Sequence, residues 1–164
     1  MAPGAGVTPA LLTALAGAGQ PGAGFAALDA ALGQAIGHKL FTIMVLDEAR
    51  GVNWRGYSSQ PLAYPVSGQK PLPRHSELYR KVVAQGVPRL CDGRAEMTAA
   101  FADHALIFSL GCESALNVPV RWNGATLGAL NLLHVAGHYS DVDLAVLEGF
   151  AALAVAPLMA LTPP

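Results

Sequence analysis

The segment SALNVPVRWNGATLGALNLLHVA, residues 114–136, reads as a β-hairpin closed by Asn123 and Gly124. That dipeptide supplies the two positive-φ residues that a type I′ turn demands. Pairing Trp122 with Ala125 predicts Val120 opposite Leu127, Val118 opposite Ala129 and Leu116 opposite Asn131, all on one face. The other face receives Ala115, Asn117, Pro119, Thr126, Gly128, Leu130, Leu132 and His134. Both faces are mostly apolar, so both must be covered. An antiparallel pair buried on two sides belongs in the middle of a layered α/β/α arrangement, because a sheet with one wet face alternates more cleanly.

Outward from the hairpin, the same periodicities organise the chain. Residues 1–21 are rich in Gly, Ala and Pro and predict a flexible or partly helical lead-in, with Thr8 and Pro9 placed to start a helix before Leu11, Leu12 and Leu15. Phe25, Leu28, Leu32 and Ile36 recur at helical spacing and predict a helix over 22–37 that Gly37 closes. Residues 39–46 predict a strand with Phe41, Ile43 and Val45 on one face and Leu40, Thr42, Met44 and Leu46 on the other. A turn at 47–51 leads into a strand over 52–59, with Asn53, Arg55, Tyr57 and Ser59 on one face. Four prolines and Gly68 make 60–73 an irregular loop carrying Tyr64. Ser76 caps a helix to Gln85, 88–92 is a short strand, and 95–110 is read as one helix. Ser140, with Asp143 three residues on, predicts a cap for a last helix running from Asp141 towards Met159.

Composition excludes several functions. The chain has 164 residues, enough for one domain with its own core. Apolar residues make up 52% and charged ones 13%, against roughly 25% charged in an average soluble domain. Ten basic and eleven acidic residues leave a formal net charge of -1, which offers no electrostatic footprint for nucleic acid. The apolar run 149–161 is interrupted by Pro157 and is shorter than a bilayer span, so no membrane helix is expected. No Lys or Arg precedes the first apolar stretch, so no secretory signal is expected either. The two cysteines, Cys91 and Cys112, suit a reducing, cytoplasmic compartment.

The hairpin NVPVRWNGATLGALNLLH resembles the late hairpin of GAF domains. The order helix, strand hairpin, helix, short strand, helix, hairpin and terminal helix also resembles that family from about Phe25 to Met159. The resemblance implies an α+β, PAS-like fold, with a central five- or six-stranded antiparallel sheet and helices on both faces, over residues 22–162. It further implies a small-molecule pocket beneath the helix that precedes the late hairpin, on the sheet face away from the terminal helices. No kinase, cyclase or DNA-binding effector follows Met159, so the expectation is a stand-alone sensory or regulatory domain.

Tyr57, Tyr64, Asp92, His104, Ser109 and Asn131 are expected to line the ligand side, with Cys91 and Leu116 as apolar wall; strand parity places them, and a one-residue slip would exchange Asn131 for Asn117 and His134. His75, His104 and His134 are the candidates for holding a haem or metal, the basis of an alternative reading as a small GAF-fold enzyme. Free methionine-(R)-sulfoxide reductases are single GAF domains with a reactive cysteine several residues upstream of an S-x-x-x-x-P segment. Ser114 and Pro119 resemble that segment, but Phe108 or a neighbour occupies the cysteine's place and Cys112 lies too near the strand. Asp103 and His104 diverge by about 100° on a helix, so they form no acid–base pair, and His104 is read as a pocket or core group. On the last helix, Leu144, Leu147, Ala151, Ala154 and Leu158 form one stripe. Val146, Phe150, Leu153, Pro157 and Met159 are left over, which predicts a homodimer through the terminal helices.

Overall fold

The computed structural model describes residues 6–161; positions 1–5 of the lead-in and residue 162, the expected end of the domain, lie outside the described residues. Two helices, α1 (Pro9–Ala16) and α2 (Gly22–Ala35), precede strands β1 (Leu40–Asp47) and β2 (Val52–Ser58). Thr8 caps α1 by accepting the Leu11 N–H at 3.2 Å. After a loop come a two-residue strand β3 (Lys70–Pro71), a π-helix (Tyr79–Gln85) and β4 (Arg89–Asp92). Helices α3 (Arg94–Ala100) and α4 (His104–Ser109) lead to the hairpin β5 (Ser114–Trp122) and β6 (Ala125–His134), and the chain ends in α5 (Leu144–Leu153) and α6 (Val155–Met159). The six strands run in the order β3-β2-β1-β6-β5-β4, each pair antiparallel. The long hairpin is therefore central, as its doubly apolar faces predict.

Against one face pack α1, α2, α5 and α6, which share a core with Phe41, Ile43, Leu116, Val118, Leu130 and Leu132. Leu40, Tyr64, Cys91, Met97, Ile107 and Leu133 make a smaller cluster on the other face, beneath α3 and α4. Three expected elements differ. The last helix starts at Leu144, because Asp143 rather than Ser140 is its cap and accepts the Ala145 N–H at 2.9 Å. It breaks at Ala154, three residues before Pro157, which cannot donate to the turn before it. The residues given as one helix over 95–110 split at Phe101, whose backbone is extended (φ -126°, ψ 118°). Residues 60–73 also hold the short edge strand β3 rather than irregular chain alone, and edge position is where Pro71 is tolerated.

Phe150 and Pro157, read from the sequence as part of an uncovered stripe, are buried in the chain's own core. The N-terminal helices cover them, with Leu11 2% exposed and Phe150 fully buried. Leu12, Leu144 and Met159 remain exposed among the terminal helices. No helix among the described residues is long and apolar enough to cross a membrane.

A polar relay sits under α2. The Tyr57 hydroxyl donates to the Asp29 carboxylate at 2.7 Å, and the carboxylate's other oxygen lies 3.0 Å from His38 Nε2. Burial disfavours a charged His38, but the hydrogen bonds and charge of Asp29 outweigh it and raise the imidazole's pKa above its ordinary value. A raised folded-state pKa gives stability that is fully present below the unfolded value and is lost as pH rises through the folded one. Asp29→Asn is therefore expected to cost about 1–3 kcal/mol, with the larger loss near pH 5.5 and the smaller near pH 8.5. Denaturant titrations at the two pH values check this, and an equal loss at both would exclude the linkage.

Candidate functional site

Two β-bulges decide what faces the second side of the sheet. Along β5 and β6 the register begins as expected, Trp122 with Ala125 and Arg121 with Thr126, but Val120 then pairs with Gly128, leaving Leu127 as an extra residue. Every later pair is shifted by one. Asn117 lies opposite Asn131 and Leu116 opposite Leu132, so Leu116 packs under the terminal helices and is not wall of the ligand side. Gly128 permits the shift: a Cβ there would collide with the Met44 carbonyl oxygen on β1. In the same way Ile43 pairs with Tyr57 while Met44 pairs with Arg55, so Gly56 is extra. Arg55 and Tyr57 consequently face opposite sides, and Tyr57 stacks against Phe25 and Phe41 beneath α2, away from the expected pocket.

On the ligand side the shifted register lines up four polar residues across four adjacent strands. Arg89 Nε donates to Asn117 Oδ1 at 3.0 Å, Asn117 Nδ2 to Asn131 Oδ1 at 2.7 Å, and Asn131 Nδ2 to Thr42 Oγ1 at 3.3 Å. Arg89, Asn117 and Thr42 are all buried. Directly above the row opens a cleft of about 310 Å³, lined by Thr42, Asn117 and Asn131 together with Met44, Trp54 and Leu133 from the sheet. Tyr64 and Ser67 stand on one side and Phe101, Ala102 and Asp103 on the other, and Asn53, Arg55, Lys70 and Leu78 complete the lining.

The two walls are tied together. Tyr64 donates its hydroxyl to Asp103 at 2.6 Å, and the Arg55 guanidinium carbon lies 3.7 Å from the Tyr64 ring centroid. Burial, reinforced by the Asp103 carboxylate, drives the Tyr64 phenol well above its ordinary pKa, so it remains a neutral donor. The Arg55 N–H is held by Ser67 Oγ at 2.9 Å, which fastens the loop to β2. The break between α3 and α4 is what lets Asp103 reach across, which a continuous helix would not do.

Of the residues expected to line the site, Tyr64 and Asn131 meet in this cleft. Cys91 is on the same sheet face, but it lines a neighbouring cavity of about 620 Å³ between the π-helix and α3, as does Arg89. Asp92 instead accepts the Gly137 N–H at 2.7 Å, and the Ser109 hydroxyl donates to the Leu106 carbonyl at the surface. His104 hydrogen-bonds the Phe101 carbonyl at 2.8 Å and packs on Phe108, turned away from the cleft by the helix break. A larger depression of about 510 Å³ lies over the hairpin end and α6, remote from the polar row. The lining side chains that bond one another there are one local pair, Arg121 donating to Thr126 at 3.0 Å with Thr126 donating to the Val83 carbonyl at 2.9 Å, whereas the smaller cleft lies over a row that crosses four strands and is therefore the candidate.

Arg89, Asn117 and Asp103 were missed in the sequence. Asn117 went to the wrong face because parity counting ignores bulges, although Gly128 within a strand was a readable sign of one. Arg89 was missed although it shares strand parity with Cys91, because a charged side chain is rarely fully buried; Arg89 is 3% exposed and Leu90 40%. The three histidines do not converge: His75 is exposed, His104 is held by Phe101, and His134 stacks on His138 with ring centroids 3.6 Å apart. Among the described residues no group of three or more His, Cys, Asp and Glu is placed to hold a metal ion.

A curled six-stranded antiparallel sheet, helices on both faces and a cleft under the helical pair before the late hairpin define a PAS-like α+β domain. Within that class the chain belongs to the GAF domain family, whose model matches residues 27–157. The structure is similar to the GAF domain of a phosphoenolpyruvate-protein phosphotransferase from Acinetobacter, with 13% identity, a TM-score of 0.71 and coverage of 91% of this chain and 88% of that one. It is similar to the GAF domain of a two-component sensor histidine kinase from Bacillus halodurans, at 13% identity, a TM-score of 0.63 and coverage of 82% and 90%. A third similar structure is free methionine-R-sulfoxide reductase from Neisseria meningitidis in complex with its substrate, at 20% identity, a TM-score of 0.61 and coverage of 92% and 85%. Identities this low establish a common fold. Comparison with curated proteins by sequence finds no match.

Proposed function

We propose that this GAF domain is a sensory or regulatory module that binds a small molecule in the cleft above the Arg89–Asn117–Asn131–Thr42 row. The observation that carries this reading is the row itself: its side chains are hydrogen-bonded in series across four strands, and three of them, Asn117, Asn131 and Thr42, form the floor of a cleft that also has apolar wall from Met44, Leu78, Phe101 and Leu133. Apolar walls supply affinity, and a few fixed polar groups supply orientation and selectivity. Tyr64, Asn131, Asn117, Thr42 and Asp103 are the proposed ligand-side residues. Thermal-shift screening against cyclic nucleotides, amino acids and aromatic acids tests the reading; a ligand-dependent rise that Asn131→Leu removes is expected, and a flat response across the panel would count against it.

A sulfoxide reductase activity, suggested by the Neisseria neighbour, is supported less well. Such chemistry needs an accessible thiolate. Cys91 and Cys112 are both buried and unpaired. Burial pushes the Cys112 thiol up to about 11 and raises Cys91 as well.

A further inference from the structure

Arg89 is the anomaly of the ligand side. It is 3% exposed, yet no carboxylate lies within 4 Å of its guanidinium among the described residues. One nitrogen, Nε, is used on the neutral Asn117 carbonyl oxygen, while Nη2 is buried with no hydrogen-bond partner. A buried charge without a counter-charge is strongly unfavourable, and a buried donor without an acceptor adds to the cost. The face of the guanidinium is covered by Phe101, with 5.4 Å from Cζ to the ring centroid. Phe101 also lines the cleft, so one aromatic ring separates the unmatched charge from the candidate ligand space.

We propose that the cleft takes a small organic acid and that its carboxylate pairs with Arg89, the Phe101 ring swinging aside to admit it. This rests on the reading of the cleft as a ligand site and names the class of ligand. Of the cations that line the cleft, Arg55 lies over the Tyr64 ring and bonds the Pro65 carbonyl, and Lys70 is exposed, so buried Arg89 is the one to match a negative charge, and the free edge of its guanidinium fits a carboxylate. The hydrocarbon or aromatic part of the acid then lies against Met44, Trp54 and Leu133, with Asn131 and Tyr64 available to a second polar group. Arg89 also lines the neighbouring cavity, where Glu77 and Glu96 offset Lys81 and Arg89 and leave no net positive charge to draw an anion. Glu77 is the carboxylate whose field reaches Arg89, but it is exposed and held by Lys81 at 2.8 Å.

The test compares benzoate, phenylacetate, butyrate and 2-oxobutyrate, each at millimolar concentration, with its own primary amide, by thermal shift and by chemical-shift changes at cleft residues. At least one acid is expected to raise Tm by about 5 °C at a hundredfold excess over its Kd, with its amide giving no rise. Arg89→Met is expected to abolish the difference between acid and amide, and Arg89→Lys to restore part of it. An amide as effective as its acid, or an undiminished acid response in Arg89→Met, would overturn the anion assignment while leaving the cleft as a ligand site. Silence of every acid and amide at the cleft resonances would overturn both. Should Arg89→Met fail to fold, the contrast between acid and amide in the unaltered chain, with Arg89→Lys, still decides the matter.

Discussion

Phe150→Ala is expected to lower the free energy of unfolding by about 3–5 kcal/mol, one of the two largest effects of any single substitution considered. Phe150 is fully buried on α5, in the cluster that joins both terminal helical pairs to the sheet. Truncation removes the transfer free energy of the ring and leaves a cavity that helices anchored by Leu28, Leu147 and Leu158 cannot collapse into fully. Phe150→Glu goes further, since it places an unpaired charge in the same space, and is expected to unfold the domain. The sequence reading, which leaves Phe150 in an uncovered stripe at a homodimer contact, implies instead that its loss spares the domain's own core. Chemical denaturation of the alanine variant decides between them: a loss below about 1 kcal/mol would mean that Phe150 is not in the core.

Asn117→Leu is the second. It deletes the acceptor of Arg89 Nε and the donor to Asn131 Oδ1 together, leaving a buried guanidinium with neither of these contacts replaced. Leaving a buried charged donor without its acceptor costs about 3 kcal/mol or more, whereas replacing both partners by apolar groups of similar shape is often nearly neutral. The double variant Arg89→Met, Asn117→Leu is therefore expected to recover most of the loss, and the coupling read from the four-membered cycle measures the row directly. Additive losses would show that Arg89 and Asn117 act independently.

How much of this was legible in the residues depends on the kind of signal. Asn123 and Gly124 carry turn chemistry that no context overrides, and both adopt positive φ in the structure, 50° and 78°. The doubly apolar faces of 114–136 placed the hairpin at the centre of the sheet, because burial on two sides is a property of composition rather than of register. Side-chain direction is a different matter. Leu127 and Gly56, one extra residue in each of two strands, reverse the faces of everything beyond them, and period-2 counting carries no information about where a bulge falls. Local packing likewise hid the break at Phe101: Met97, Phe101, Ala105 and Phe108 fit a helical stripe, yet the Tyr64 hydroxyl and Asp103 carboxylate meet only if the chain leaves the helix. Arg89 illustrates another limit: parity with Cys91 places it on the ligand face, but composition argues against burying a charged residue there.

The location of ligand binding is the central claim, and backbone amide chemical-shift mapping tests it most directly. On titration with a stabilising ligand, the largest changes are expected on Tyr64, Phe101, Asp103, Asn117 and Asn131, with Leu28, Leu147 and Phe150 on the terminal-helix side nearly unmoved. Changes concentrated on the terminal helices, or over the hairpin end around Arg121 and Leu127, would contradict it.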